Sequence, residues 1–277
     1  MSGRLLCSRS RPRRECGGVV GSQRAFAFVN MNQRICLQSW APLRSIGHSK
    51  GEMVSSLLFG ETCTVLASEG EWLHVRVDYD GYMGWIPELY LGDARSHQAH
   101  SWRVVRELGA YFLGEDGDVI ALSPGAKIPG ERVVIEGRTY YYRSGKYLVA
   151  GAAAAAKAFL NTPYLWGGRS IWGIDCSGLV QAVGQVMDIV MPRDAYQQAA
   201  EGQPCMWDQR RPGVLAYFSN ADGKVVHVGI LLDDDRIIHA YGKVRIDQLT
   251  PQGIVNAVSG DLTHKLSGLR LWPQKML

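Results

Sequence analysis

A cysteine and two histidines are the side chains of this chain best placed for covalent chemistry. Cys176 follows Gly173-Ile174-Asp175 and precedes Ser177-Gly178. Leu179, Val180, Val183, Val186, Met187 and Val190 then recur at helical spacing, so a helix is expected to open near Cys176. The flanking Asp175 and Ser177 are good helix-start residues. The thiolate is the nucleophilic form, and the positive end of a helix dipole is expected to lower the thiol pKa below its free value of about 8.5. A buried, inert cysteine capping a helix would give the same local text. A nucleophile further needs a base, and the base an orienting partner. His227 lies 51 residues downstream in Val225-Val226-His227-Val228-Gly229-Ile230-Leu231-Leu232. Val226, Val228, Ile230 and Leu232 share one face of that strand, so His227 points to the other. His239 stands twelve residues further, within Ile237-Ile238-His239-Ala240-Tyr241.

Hairpin geometry links the two rings. If Asp233 to Asp235 form a three-residue loop, Gly229 faces His239 and His227 faces Tyr241. The histidines are then diagonal neighbours on one face, about 7–8 Å apart at the backbone and within side-chain reach. A two-residue loop would put them on opposite faces. A shared face, downstream of a cysteine at a helix start, describes a Cys-His-His site. Metal binding is the rival use of two histidines, and neither an HExxH pair nor further nearby Cys/His ligands support it. Trp166-Gly167-Gly168 matches neither a P-loop nor a dinucleotide GxGxxG, and its glycines are expected to let backbone pass close to the nucleophile.

The elements that must position these residues change character along the chain. From Cys36 to Leu91 short strands alternate with turns, as in Trp72 to Asp78, the Asp80-Gly81 turn and Tyr82 to Pro87, which suggests a small β-barrel. A second such segment runs from about Ser101 to Tyr147, with turns at Asp116-Gly117, Ser123-Pro124-Gly125 and Glu136-Gly137. The polar stretch Gly92 to His100 is expected to link the two. From Gly151 the text turns helical. Ala152 to Leu160 is a strong helix former stopped by Asn161-Thr162-Pro163, and a short polar helix is expected from Asp194 to Glu201. Two strands follow, Val225 to Leu232 and Arg236 to Tyr241. The last third is therefore read as an α+β domain.

Composition narrows the partners. The chain has 277 residues with 30 Lys+Arg and 26 Asp+Glu, a net charge of +4. Six arginines against one glutamate lie in the first thirty residues, which leaves 24 basic against 25 acidic side chains in the rest. That balance argues against a dedicated nucleic-acid binder. No run approaches the roughly 18 apolar residues of a membrane span, so neither a nucleic acid nor a membrane is an expected partner. Six scattered cysteines form no CxxC pair, and a reduced compartment is the simpler reading. Residues 1–30 are read either as a disordered tail or as an over-extended start with initiation at Met31, the second being favoured; a cleaved secretion signal is not expected.

Pro163-Tyr164-Leu165-Trp166-Gly167-Gly168, Gly173 to Val180, His227-Val228-Gly229-Ile230 and Ile238-His239-Ala240 resemble the NlpC-type cysteine peptidases of bacterial cell walls. Residues 36–147 resemble the paired bacterial SH3-like domains that precede the peptidase in one subgroup, through Ala41 to Arg44, Glu52-Met53-Val54, Leu58 to Glu61 and Asp80 to Trp85. The resemblance implies two SH3-like β-barrels (31–95 and 98–148) before a papain-like peptidase domain (149–277). It implies Cys176 as nucleophile, His227 as general base and later acid, His239 as its orienter, and no cofactor or metal. Tyr164 is expected beside the nucleophile, steadying the oxyanion or simply packing. The subgroup resembles dipeptidyl-peptidases that cleave the bond between γ-D-glutamyl and a diamino acid in free murein peptides carrying an unblocked N-terminal L-Ala. Asp194 matches the amine-binding aspartate, a role compatible with capping the helix from Ala195. Asp175 and Ser177 are further candidates for touching substrate, and Glu52 and Tyr82 are candidates for closing the pocket from the first barrel. Ala195 departs from a frequent serine, and Gly213-Val214 from a common glycine–acidic pair. A monomer acting in the cytoplasm is expected, with a periplasmic or secreted enzyme as the alternative location. An amidase or acyltransferase on the same scaffold and a non-catalytic wall-fragment binding protein are the competing functions.

Overall fold

The computed structural model describes residues 32–97, 102–147 and 151–274. The expectation for residues 1–30 and the domain edges at 98 and 148–150 lie outside these. Alternation at period 2 builds the first module. In Trp72–Val77, Leu73, Val75 and Val77 point inward and are buried, while Arg76 faces solvent. Asp80-Gly81 turns the chain, with Gly81 at φ +73°, into Met83–Pro87, which pairs antiparallel with Trp72–Val77. Seven strands form this sheet, in the spatial order Met53–Leu58, Trp40–Arg44, Met83–Pro87, Trp72–Val77, Thr62–Glu69, Gln33–Cys36, Leu91–Asp93. The start of the expected linker is thus itself structured. Leu91–Asp93 pairs with Gln33–Cys36, and Ala94–His97 forms a 3-10 turn.

The second module is a four-stranded sheet in the order Val119–Ala121, Tyr111–Gly114, Arg138–Arg143, Arg132–Ile135, flanked by two short strand pairs. Its turns fall where the sequence puts them, with Gly117, Gly125 and Gly137 all at positive φ. The two modules share one apolar core. Leu58 and Phe59 of the first pack with Phe112, Leu122 and Tyr142 of the second, the Phe59 and Phe112 rings lying 5.4 Å apart.

The C-terminal domain differs from the α+β expectation in being mostly β. Its helices are short, Ala152–Lys157, Cys176–Val186 and Ala195–Gln198. The two expected strands are joined by four more to make a closed barrel. Around it run Leu215–Ser219, Val225–Leu231, Arg236–Tyr241, Lys243–Thr250, Gly253–Val255 and Leu262–Arg270, the last pairing with both Gly253–Val255 and Leu215–Ser219. Closure removes the exposed edges that an open sheet would leave. The Cys176 helix ends sooner than its apolar spacing implies. Asp188 adopts a left-handed conformation at φ +59°, and Val190 is exposed beyond it. Every residue of that helix is buried, because it lies between the barrel and the first module. Its apolar side packs on Val228, Ile230, Ile238 and Ala240. Its glutamines face the first module, where Gln181 donates to Asp80 and Gln185 to Glu61.

A fully buried ion pair completes this joint. The Arg169 guanidinium donates to Glu61 Oε1 at 3.0 Å, to Ser56 O at 3.0 Å and to Gln185 Oε1 at 2.9 Å. A buried pair of this kind contributes little net stability, whereas removing one partner would leave the other charge buried without its counterion. Tyr79 Oη donates to Ile189 O, and Ile171 N–H donates to Ser123 Oγ of the second module. All three modules therefore meet at the loop that leads into Cys176.

Candidate active site

Asp175 caps the Cys176 helix as its sequence position implies, accepting from Gly178 N–H at 2.7 Å. Its other contacts leave it fully engaged. Oδ2 accepts from Gly167 N–H at 2.8 Å and from Arg193 Nη2, and Oδ1 from Arg193 Nη1 and Ser177 Oγ. Asp175 and Ser177 line the cleft, and their polar side-chain atoms are also hydrogen-bonded within the protein. Gly178 is required here. A Cβ would lie 2.1 Å from Gly168 O, so the Trp166-Gly167-Gly168 loop crosses the helix start at backbone contact, as expected of its glycines.

Cys176 opens onto a cleft of about 400 Å³. Asp194 and Tyr196 line it from the short third helix, and Trp166 from the glycine loop. Glu52, Val54 and Tyr82 line it from the first module. Of the residues expected at the site, Cys176, Asp175, Ser177, Asp194, Glu52 and Tyr82 thus share one cavity. Asp194 and Tyr82 lie close enough to interact. Burial raises the Tyr82 phenol, and the Asp194 carboxylate raises it further. Burial likewise raises Asp194, against the opposing pull of Arg193. Tyr164 sits beside the nucleophile, its phenol raised by burial and then by Cys176 and Asp175.

The thiol departs from the sequence expectation. Burial pushes Cys176 up to about 12, with Asp175 adding to the rise, while N–H groups of Val228 and Ser177 and the Arg193 charge oppose it. Desolvation of the charged form outweighs the helix-start effect. The sulfur is therefore held as a thiol, and it must lose its proton as it attacks. The Val228 contact also places the sulfur against the backbone of the strand that carries His227.

The histidines stand where the three-residue loop puts them. Gly229 faces His239 and Ile230 faces Ile238. His227 Nε2 lies 2.8 Å from His239 Nδ1, and His239 Nε2 lies 2.9 Å from Asp247 Oδ2. Asp247 was missed by the sequence reading, although extending the same pairing by one hairpin finds it. Tyr241 faces Lys243 across Gly242 and Ile237 faces Asp247, so the carboxylate is the diagonal neighbour of His239. Burial would raise Asp247, but hydrogen bonds from His239, Ala257 N–H and Arg245 outweigh it and hold the carboxyl below the usual range.

That charge sets the proton positions along the row. Ionised Asp247 accepts the His239 Nε2 proton. His239 is buried and held neutral, so its Nδ1 is a lone pair that accepts from His227 Nε2–H. The lone pair of His227 is then on Nδ1. Burial, followed by His239 and His264, lowers His227 well below its ordinary value and keeps that lone pair free at neutral pH. A second residue absent from the sequence reading, His264, stacks on His227 with ring centroids 4.1 Å apart. No motif marks it in Leu262-Thr263-His264-Lys265.

Comparison with known proteins agrees with this layout. The NlpC/P60 family matches residues 161–262, and the bacterial dipeptidyl-peptidase SH3 domain matches residues 43–90. The chain is 28% identical over 211 residues to a gamma-D-glutamyl-L-lysine dipeptidyl-peptidase of Bacillus subtilis, covering 67% of this chain and 71% of the relative. A protein of the same name from Bacillus cereus is 26% identical over 253 residues, covering 76% and 74%. A crystal structure of an NlpC/P60 family protein from Bacillus cereus shares the fold, with a TM-score of 0.71 at 20% identity over 87% of this chain and 100% of that one. Because the family match takes in the Cys176 helix together with both histidine strands, and the SH3 match takes in the facing wall of the cleft, the chain belongs to the NlpC/P60 family as a cysteine peptidase preceded by a bacterial SH3 domain.

Proposed function

We propose that this peptidase hydrolyses the bond between γ-D-glutamate and a diamino acid in short, free murein peptides with an unblocked N-terminal L-Ala. The observation that carries the reading is the composition of the cleft, in which Cys176 faces Asp194, Tyr82 and Glu52 across a space that two modules enclose. A wall supplied by a second domain suits a short peptide better than a cross-linked polymer. The acidic pair suits an ammonium group, bound by charge-assisted hydrogen bonds. The names of the two Bacillus relatives support the same bond.

In the reaction His227 Nδ1 takes the Cys176 proton as sulfur attacks the γ-carbonyl of D-glutamate. In this reading N–H groups at the helix start and the Tyr164 hydroxyl receive the developing oxyanion. His227 then gives the proton to the departing amine, leaving a thioester. It activates water in the second half to release L-Ala-γ-D-Glu. The helix packed on a barrel that carries the histidines supports the papain-like reading that the sequence resemblance implies. We further propose the cytoplasm as the compartment, testable by cell fractionation.

Incubation with L-Ala-γ-D-Glu-diaminopimelate, its lysine counterpart and the N-acetylated form of each tests the reading. Release of L-Ala-γ-D-Glu, with a sharp drop in kcat/KM on acetylation, is expected. Equal turnover of blocked and free peptides would remove Asp194 and its neighbours from amine recognition. Transfer to an added amine in preference to water would replace hydrolysis by acyl transfer.

A further inference from the structure

The closing strand of the barrel places one imidazole flat against another. His264, on Leu262–Arg270, stacks on His227 at a centroid distance of 4.1 Å and an interplanar angle of 25°. The remaining neighbours make this a confined arrangement. The Tyr241 ring stands edge-on to His264 at 5.0 Å and 90°, His239 at 5.7 Å and 82°, and Phe218 at 6.0 Å and 66°. His264 Nδ1 is 2.9 Å from Thr263 Oγ1, which ties down the rotation of its own ring. Phe218 also lies against His227, tilted by 47° at 5.8 Å. The family match ends at residue 262, so His264 lies outside the segment that identifies the peptidase.

The row of hydrogen bonds described above constrains His227 at one atom only, Nε2. A ring held at one nitrogen can still swing about that contact, and the swing changes where Nδ1 points. A flat partner on its face blocks the motion. We propose that His264 is a positioning residue for the base, its stacked ring fixing the plane in which His227 Nε2 stays on His239 while Nδ1 faces Cys176. The inference rests on His227 being that base. It also gives the stack a protonation requirement. The groups facing His264 are His227, His239 and Tyr241, with Asp247 behind, and burial followed by His239 holds His264 down to about 4. At neutral pH it is uncharged and stacks without repelling the imidazolium that forms on His227 in the reaction.

The test compares His264→Ala, which removes the ring, with His264→Phe, which keeps a flat ring and removes its nitrogens. Alkylation of Cys176 by iodoacetamide, followed on the Cys176 peptide by mass, reads the thiol–imidazole pair whatever peptide is the substrate. His264→Ala is expected to slow alkylation and to lower kcat by about tenfold at nearly unchanged KM, since misorientation acts on the reacting geometry. It should also move the acid limb of the alkylation profile upward, toward the ordinary histidine value, as water reaches the His227 face. His264→Phe should recover most of the loss and leave the limb near the wild-type position. An Ala variant as fast as wild type, or a Phe variant as slow as Ala, would overturn the proposal. If Ala does not fold, as judged by circular dichroism, His264→Leu replaces it as the bulky non-stacking control, and Leu matching Phe would equally overturn it. His227→Ala is the control for the underlying assignment. Alkylation indifferent to His227 removes the base itself, whereas sensitivity to His227 without sensitivity to His264 defeats only the present inference.

Discussion

The two walls of the cleft are built on different principles. On the peptidase side, the polar groups around Cys176 are buried and engaged. Asp175 takes hydrogen bonds from Gly167, Gly178, Ser177 and Arg193, while His227, His239 and Asp247 form one continuous row. On the first-module side, Glu52 is exposed and Tyr82 half-buried, and their place at the cleft depends on how the module docks. One wall is organised in advance for chemistry, where small errors in geometry are costly. The other offers groups that a ligand can engage, and its position is set at a distance by Arg169 and Glu61.

The largest expected effect breaks the fixed wall at its centre. Cys176→Ala should reduce release of L-Ala-γ-D-Glu to background by chromatography, with the melting temperature held within a few degrees. Next comes the tail of the row. Asp247→Asn removes the charge that sets both histidine tautomers, and kcat is expected to fall by about 10²–10⁴-fold with KM little changed, in line with loss of an orienting carboxylate elsewhere. Arg193→Met leaves Asp175 buried without its cation and should cost about 3–5 kcal/mol in urea unfolding, the range for a broken buried pair. A near-neutral outcome would mean that the backbone donors to Asp175 suffice. The adaptable wall should respond more mildly and in a different parameter. Tyr82→Ala is expected to raise KM about tenfold for the free-amine peptide, leaving kcat and the acetylated peptide nearly unaffected, as loss of about one good contact would. A fall in kcat instead would mean that the module also positions the reacting bond.

The smallest effect is on stability against pH. His227, His239 and His264 all have folded pKa values lowered from 6.5, with burial the first cause of each. Below 6.5 the unfolded chain takes up protons that the folded chain does not, so stability present above that pH is lost as pH falls toward the folded values, about 4 for His264. The melting temperature should decline over this interval, and His264→Phe should flatten the decline.

Much of the peptidase wall was legible in the residues. Helical spacing located the start of the Cys176 helix, and a loop length of three placed His227 and His239 on one face, as the Gly229–His239 pairing bears out. The same rule carried one strand further would have reached Asp247. Where local rules misled, tertiary context overrode them. The helix stops at Val186 although apolar spacing runs on to Val190, and the thiol rises where a helix start alone would lower it. Desolvation depends on everything packed around the sulfur, and no neighbour in sequence reports that.

The chain by itself determined which groups could react and their order along one helix and one hairpin, because the periodicities of 3.6 and 2 are properties of the backbone. Only the folded structure decided what surrounds them. Barrel closure brings His264 onto His227 from 37 residues away, and module docking brings Glu52 and Tyr82 to a cysteine more than ninety residues on. Both are contacts between distant segments, fixed by which apolar faces and buried charges fit together, and no local spacing encodes that fit.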